Sequence, residues 1–172
     1  MKKIFNFQFS IFNSKKGFTL VEMLIYMGLL SILIVIMVDL FASSLDVQLE
    51  SQATSAVQQD ARFLLSRLTY DVQNAQNVLV PATIGSQSAS LQLSINSVNY
   101  TYALNNGNIQ LTNNNGTDNL NSFDTTVSNL TFKKLGNGSG KDTVQIVFTL
   151  TSKVVRNTGA ETKNFQTTVG LR

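Results

Sequence analysis

The 172-residue sequence contains no cysteine, no histidine and a single proline, Pro81. Without cysteine there is neither a disulfide framework nor a thiolate metal site, and the redox compartment leaves no mark on the chain. Without histidine the commonest general base and the commonest metal ligand are missing, so catalysis would have to rest on carboxylates, lysines or hydroxyls. Charge is also scarce, at 13% of residues, and no lysine or arginine occurs between Phe18 and Arg62. Of thirteen basic residues, Lys2, Lys3, Lys15 and Lys16 precede Phe18, which leaves nine basic against ten acidic side chains in the remainder. A sequence pI of 9.3 is therefore no argument for a nucleic-acid partner. The length allows one modest domain and an extended anchor.

What the chain does have is a long apolar run. From Phe18 to Phe41 the only strongly polar side chains are Thr19, Glu22, Ser31 and Asp39. A bilayer-spanning helix needs roughly 20 apolar residues at about 1.5 Å each, and this run supplies them. It far exceeds the apolar core of an ordinary secretory signal, for which Ala42-Ser43-Ser44 would be the only small-residue exit. Lysines flank its N-terminal side, and Asp46 and Glu50 follow the other, so the C-terminal part is expected outside the cytoplasm. Glu22 is the anomaly. A carboxylate at the bilayer centre costs about 2.5–3.5 kcal/mol, and an ionisable group there calls for a partner. In the first turn of a helix the same charge gains about 0.3–1 kcal/mol from the helix dipole.

No proline precedes Pro81 and no glycine lies between Gly28 and Gly85, so the helix is expected to continue to about Asn77. Leu45, Leu49, Ala53, Ala56/Val57, Ala61, Leu64/Leu65, Leu68, Val72 and Ala75 recur at spacings of three and four, one face of an amphipathic helix. Asp46, Gln48, Glu50, Gln52, Gln58, Gln59, Arg62, Arg67 and Asp71 read as its solvated face, with Arg67 and Asp71 spaced to pair. Beyond Pro81 the period becomes two. Leu91–Ile95, Val98–Tyr102, Ile109–Leu111, Leu130–Phe132, Val144–Leu150 and Phe165–Leu171 read as half-buried strands. Asn96-Ser97, Asn106-Gly107, Asn115-Gly116 and Asn137-Gly138 read as turns, and Ala82–Ser90 and Asn113–Ser122 as loops. The expected fold is α+β, a long N-terminal helix on a small antiparallel β-sheet domain.

The stretch Lys15-Lys16-Gly17-Phe18-Thr19-Leu20-Val21-Glu22, with an apolar helix directly behind it, resembles the N-terminal signal of type IV pilins and type II secretion pseudopilins. The resemblance implies a prepilin peptidase that cuts after Gly17 and methylates the new N-terminus, Phe18, with Lys15 and Lys16 as leader charges. It implies that Glu22 is the filament-assembly residue, answered by the free α-amino group of a neighbouring subunit's Phe18. Its implied partners are that peptidase, other pilin or pseudopilin subunits and the inner membrane. The chain then divides into a leader at 1–17, a transmembrane or filament-core helix at 18–41, an amphipathic continuation at 42–77 and a sheet domain at 78–172. Major subunits of this family usually carry a glycine and then a proline in the apolar helix. Ser31 and Asp39 stand in those places here, which points to a minor subunit. The segment Asp60–Ala75 is also similar to minor pseudopilins of the J type and their pilus counterparts.

Other chemistries are weaker. Asp118, Asp124, Asp142 and Glu161 lie in or beside turn-like segments with no spacing that singles out a catalytic pair. Asn113–Asn119 is rich in oxygen ligands but lacks the alternation and closing glutamate of a calcium loop. Lys133, Lys134, Lys141, Lys153, Arg156 and Lys163, with Tyr100 and Tyr102, are the candidates for a basic face in a DNA-uptake subunit. Lysines scattered on strands more often protect sheet edges. The expectation is a structural subunit, not an enzyme, with no cofactor and no metal and with nucleic acid disfavoured as a partner; a DNA-uptake pseudopilin is the first alternative and a stand-alone membrane-anchored binding domain the second.

Overall fold

The computed structural model describes residues 17–136 and 140–172. One α-helix, α1, runs from Leu20 to Asn74, and the chain divides between Ser43 and Ser44 into two units. In the first unit every described residue is exposed except Glu22, which is half-buried. The helix carrying this surface is long and apolar enough to cross a membrane.

In the second unit the helix buries one stripe, Ala53, Val57, Ala61, Leu64, Leu68 and Val72, at the expected spacings. Its partners are nine strands: β1 (Asn77–Val80), β2 (Gln87–Ser88), β3 (Ser90–Ile95), β4 (Val98–Asn105), β5 (Asn108–Asn113), β6 (Gly116–Asn119), β7 (Thr125–Leu135), β8 (Thr143–Ser152) and β9 (Thr162–Gly170). All pair antiparallel, in two sheets rather than one, ordered β1-β3-β4-β5-β6 and β2-β7-β8-β9. Period-two burial gives each strand its inner face but not its neighbours, which is why a single sheet was the simpler expectation. The helix stripe, Leu91, Leu93 and Tyr102 of the first sheet, and Phe132, Ile146 and Phe148 of the second share one core.

The hairpins follow turn chemistry. Asn96-Ser97 and Asn106-Gly107 each place two residues at positive φ, as a tight two-residue turn between twisted strands requires. At Gly107 a Cβ would also stand 2.5 Å from Thr126 Cγ2, so the close approach of β7 needs glycine there. The third turn falls one residue earlier than expected: Asn113 faces Gly116, so Asn114-Asn115 form the turn and Gly116 opens β6. Part of the expected loop at Asn113–Ser122 is therefore a strand, as is Gln87–Ser88 within Ala82–Ser90. The helix ends at Asn74 because Asn77 is already opposite Ser94 in the β1–β3 pair. Asn137-Gly138 lies outside the described residues.

Two buried aspartates join the helix to the strands. Asp60 accepts hydrogen bonds from Ser122 N at 3.0 Å, from Ser122 Oγ at 2.7 Å and from the Thr125 hydroxyl. Asp71 accepts from Arg67 Nε at 2.7 Å and from the buried Tyr102 hydroxyl on β4. The Arg67–Asp71 pair forms as its spacing suggests, but Asp71 does not belong to the solvated face: it is buried, and its carboxylate is used on Tyr102. Each of these acids borders the apolar stripe, Asp60 beside Ala61 and Asp71 beside Val72. Hydrogen bonds to a charged acceptor contribute about 1.5–3 kcal/mol, and a mispositioned helix would leave both carboxylates buried without donors.

Burial, then the hydrogen bond and negative charge of Asp71, push the Tyr102 pKa well above its ordinary value of 10.0, against the opposing influence of Arg67. The folded chain thus holds this proton where the unfolded chain, with an ordinary phenol near pH 10, releases it. This contribution to stability is whole below about pH 10 and is lost as pH rises beyond it. Denaturant titrations of the full chain in detergent should show a decline above that pH that Tyr102→Phe flattens, from a lower starting stability. The same titrations at neutral pH should find Leu64→Ala destabilising by about 2–5 kcal/mol, because its side chain is fully buried. Phe63→Ala, at a half-exposed neighbouring position, should change stability by about 0.5 kcal/mol or less.

Candidate processing and assembly site

The residues singled out by the sequence lie where the chain enters α1. Thr19 is the N-cap: its Oγ1 accepts a hydrogen bond from Glu22 N at 3.2 Å, while its carbonyl takes the first helical bond from Met23 N at 3.1 Å. A side-chain oxygen is favoured here because the opening N–H groups of a helix have no partners within it. Glu22 thereby becomes the third residue of the helix, with its charge at the positive end of the dipole. Its Oε1 accepts from the Tyr26 hydroxyl, one turn on, at 3.1 Å. The Phe18 ring meets the Tyr26 ring edge to face, with centroids 6.1 Å apart and planes at 81°.

This geometry holds the Glu22 carboxylate against its own helix and leaves it accessible. No cation pairs with it among the described residues, so a positive group from another molecule can approach without displacing an internal ion pair. Ser31 differs, since its hydroxyl returns to the Gly28 carbonyl at 2.8 Å. Gly17 has nothing within 4 Å of the place a Cβ would occupy, and its φ is not in the region that demands glycine. Among the described residues, then, neither local backbone nor packing requires glycine at 17. Lys15 and Lys16 lie outside the described residues.

Sequence reasoning singled out Gly17, Phe18 and Glu22 but missed Thr19 as a cap and Tyr26 as a hydrogen-bond partner of the carboxylate. The spacing Thr-x-x-Glu is the signal that would have found the first, being that of a capping box. Tyr26 at i+4 from Glu22 is the ordinary neighbour on a helix face.

The other candidates are dispersed. Asp142 pairs with Lys134 at 2.8 Å near the start of β8, and Glu161 pairs with Arg156 at 3.0 Å and Lys163 at 3.3 Å near its end. Asp118 lies on β6 and Asp124 just before β7. Among the described residues no three acidic side chains gather at metal-holding distance. In the Asn113–Asn119 segment, Asn113 Oδ1 accepts from Asn115 N at 2.8 Å and Asn119 Oδ1 from Gln110 Nε2 at 3.0 Å, so two ligand oxygens serve the hairpin. The postulated basic face is likewise broken up. Lys134 is buried in its ion pair, Arg156 and Lys163 flank Glu161, and Tyr102 lies in the core.

Residues 12–38 match the family described as the prokaryotic N-terminal methylation motif. The matched stretch includes Lys15, Lys16, Gly17, Phe18 and Glu22 and extends well into the exposed apolar helix. No curated protein and no solved structure matches the chain.

Proposed function

We propose that the chain is a member of the type IV pilin and pseudopilin family, as its N-terminal methylation motif supports, and that it serves as a minor subunit of a type IV pilus or type II secretion pseudopilus. Its N-terminal motif makes it a substrate of a prepilin peptidase. In this reading the peptidase cuts after Gly17 and methylates Phe18. The chain waits in the inner membrane with residues 18–41 in the bilayer and the sheet unit outside the cytoplasm. It then enters a filament by packing that same helix against others.

The observation that carries the reading is the helix surface from Leu20 to Phe41, apolar and exposed on every side, with a half-buried carboxylate at its head. Such a surface is stable only in lipid or against other helices of the same kind. Moving it from one to the other requires that the four leader lysines be gone from the helix start and that Glu22 meet a cation. The amine freed at Phe18 supplies one. A buried pair of this sort fixes register more surely than it adds stability. Among the described residues nothing requires glycine at 17, which supports a requirement imposed by another protein, the peptidase, whose cut needs a small residue before the bond.

The minor role is supported by Ser31 and Asp39 in the places of the helix-loosening glycine and proline, and by the likeness of Asp60–Ala75 to J-type subunits. That segment contributes both aspartates that fasten helix to strands.

The intact mass of the protein purified from its membrane should correspond to a chain starting at Phe18 with one added methyl group. Gly17→Leu should leave an uncut, unmethylated chain in the membrane. A start near Ser43, or normal processing of the Gly17→Leu chain, would refute the reading.

A further inference from the structure

Among the described residues the two sheets have four edge strands, and three of them are blunted. Strand β1 has four residues and a break in register between Val78 and Val80, β2 has two residues, and β6 has four and carries Asp118. The fourth is β9, nine residues paired to β8 in unbroken register from Thr162 to Gly170, with no strand beyond it. Sheets ordinarily protect so long an edge with lysine, proline or a bulge.

The hydrogen bonds at the two ends of the β8–β9 pair fix which backbone groups are left over. Ser152 N donates to the Glu161 carbonyl at 2.8 Å, and Leu171 N donates to the Asp142 carbonyl at 3.0 Å, so the odd-numbered residues of β9 bond to β8. The N–H and C=O groups of Thr162, Asn164, Gln166, Thr168 and Gly170 therefore point off the edge, and all five residues are exposed. None of them is charged and none is proline. The odd-numbered residues face the core. Val169 is buried, Phe165 stacks on Phe148 with centroids 5.6 Å apart, and Leu171, just past the strand, packs against the same cluster. The one charged residue of β9, Lys163, is paired with Glu161 at 3.3 Å.

We propose that β9 is a docking edge that takes an extended, uncharged segment of another protein as an additional antiparallel strand. Main-chain hydrogen bonds hold such a strand, and its alternate side chains decide which segment fits. Polar side chains of the segment lie beside the exposed row, and apolar ones lie beside Phe165, Val169 and Leu171 and extend the cover of the core. The segment is uncharged because the exposed row offers no counter-charge and Lys163 already has one. A second copy of β9 fits badly. The antiparallel register that pairs all five outward residues is centred on Gln166, and it sets Phe165 against Thr167, Val169 against Lys163 and Leu171 against Glu161. Registers that bring apolar residues together leave outward groups unpaired. The edge lies wholly within the second unit, so docking there requires nothing of the first.

The probe is a short acetylated peptide of alternating threonine and valine with N-methyl groups on its valines. Its threonine N–H groups are free to meet β9, while its other edge cannot pair with a second peptide. Amide hydrogen exchange of the full chain in detergent should be fast at Asn164, Gln166 and Thr168 and slow at Phe165, Thr167 and Val169. With the peptide at about ten times its dissociation constant, exchange at the three fast positions should slow by about tenfold. The same peptide methylated on its threonines should change nothing. Gln166→Pro should abolish the protection of Asn164 and Thr168 and leave Phe165 and Val169 slow, because the N–H it removes is not used on β8. No protection by the valine-methylated peptide, or equal protection by both peptides, would overturn the proposal. So would slow exchange at Gln166 without peptide, since the edge would then be covered already. The chain has no cysteine, and residues opposite each other in the Gln166-centred register would have Cα atoms about 5.5 Å apart, within disulfide reach. A Gln166→Cys chain that forms a disulfide-linked dimer in air would assign the edge to a second copy and overturn the proposal as well.

Discussion

A helix whose apolar side chains point outward on every side cannot stay in water, and everything distinctive about this chain follows from that constraint on Leu20–Phe41. Lipid satisfies it, and so does a bundle of like helices. Neither medium readily tolerates an unanswered charge, and the proposed function gives that role at the helix head to Glu22. Thr19 and Tyr26 give Glu22 partial support by capping and by one neutral hydrogen bond, and neither neutralises it. On the proposed function, the cation that does so comes from a neighbouring subunit.

The second unit meets the opposite requirement with the same helix. There the apolar positions narrow to one stripe, and two sheets cover it. Burial alone is indifferent to sliding by a turn, because leucine, valine and alanine recur at similar spacings along the stripe. Asp60 and Asp71 are not indifferent. Each needs donors at fixed places, Ser122 with Thr125 and Tyr102 respectively, so the pair selects one axial position of the helix on the sheets. Asn121 does similar work between the sheets, accepting from Ile109 N at 3.0 Å and donating to the Thr125 carbonyl at 3.2 Å.

Much of this was legible in the sequence, and the remainder was hidden for identifiable reasons. The helix stripe and six of the strands follow from spacing because the burial of Leu64, Leu91 or Ile146 is decided by side-chain type. Asp71 misled because a charged residue on a helix is usually solvated, and only the tertiary position of Tyr102 makes it a buried acceptor. Strand β7 was seen only from Leu130 to Phe132. A bulge between Ser128 and Thr131 puts Val127 and Leu130, three apart, on the same buried side, which erases the alternation. Strand β6 has no apolar residue at all and is held by backbone pairing and the Thr112–Thr117 hydroxyl contact at 2.9 Å, so no hydrophobic pattern could announce it. At the helix start Gly17, Phe18 and Glu22 stood out by motif, whereas the cap and the Tyr26 contact depend on local geometry that the motif does not describe.

The proposed function thus rests on one charge. The substitution Glu22→Gln keeps the shape, the helix and a hydrogen-bond partner for Tyr26 while removing the negative charge. Filaments sheared from cells that express this variant beside the other subunits can be probed for it, with processing and membrane insertion checked in the same cells. The account predicts a cut, methylated, membrane-resident chain that is missing from the sheared filaments. Recovery of the Glu22→Gln chain in filaments at the level of the unsubstituted protein would contradict it.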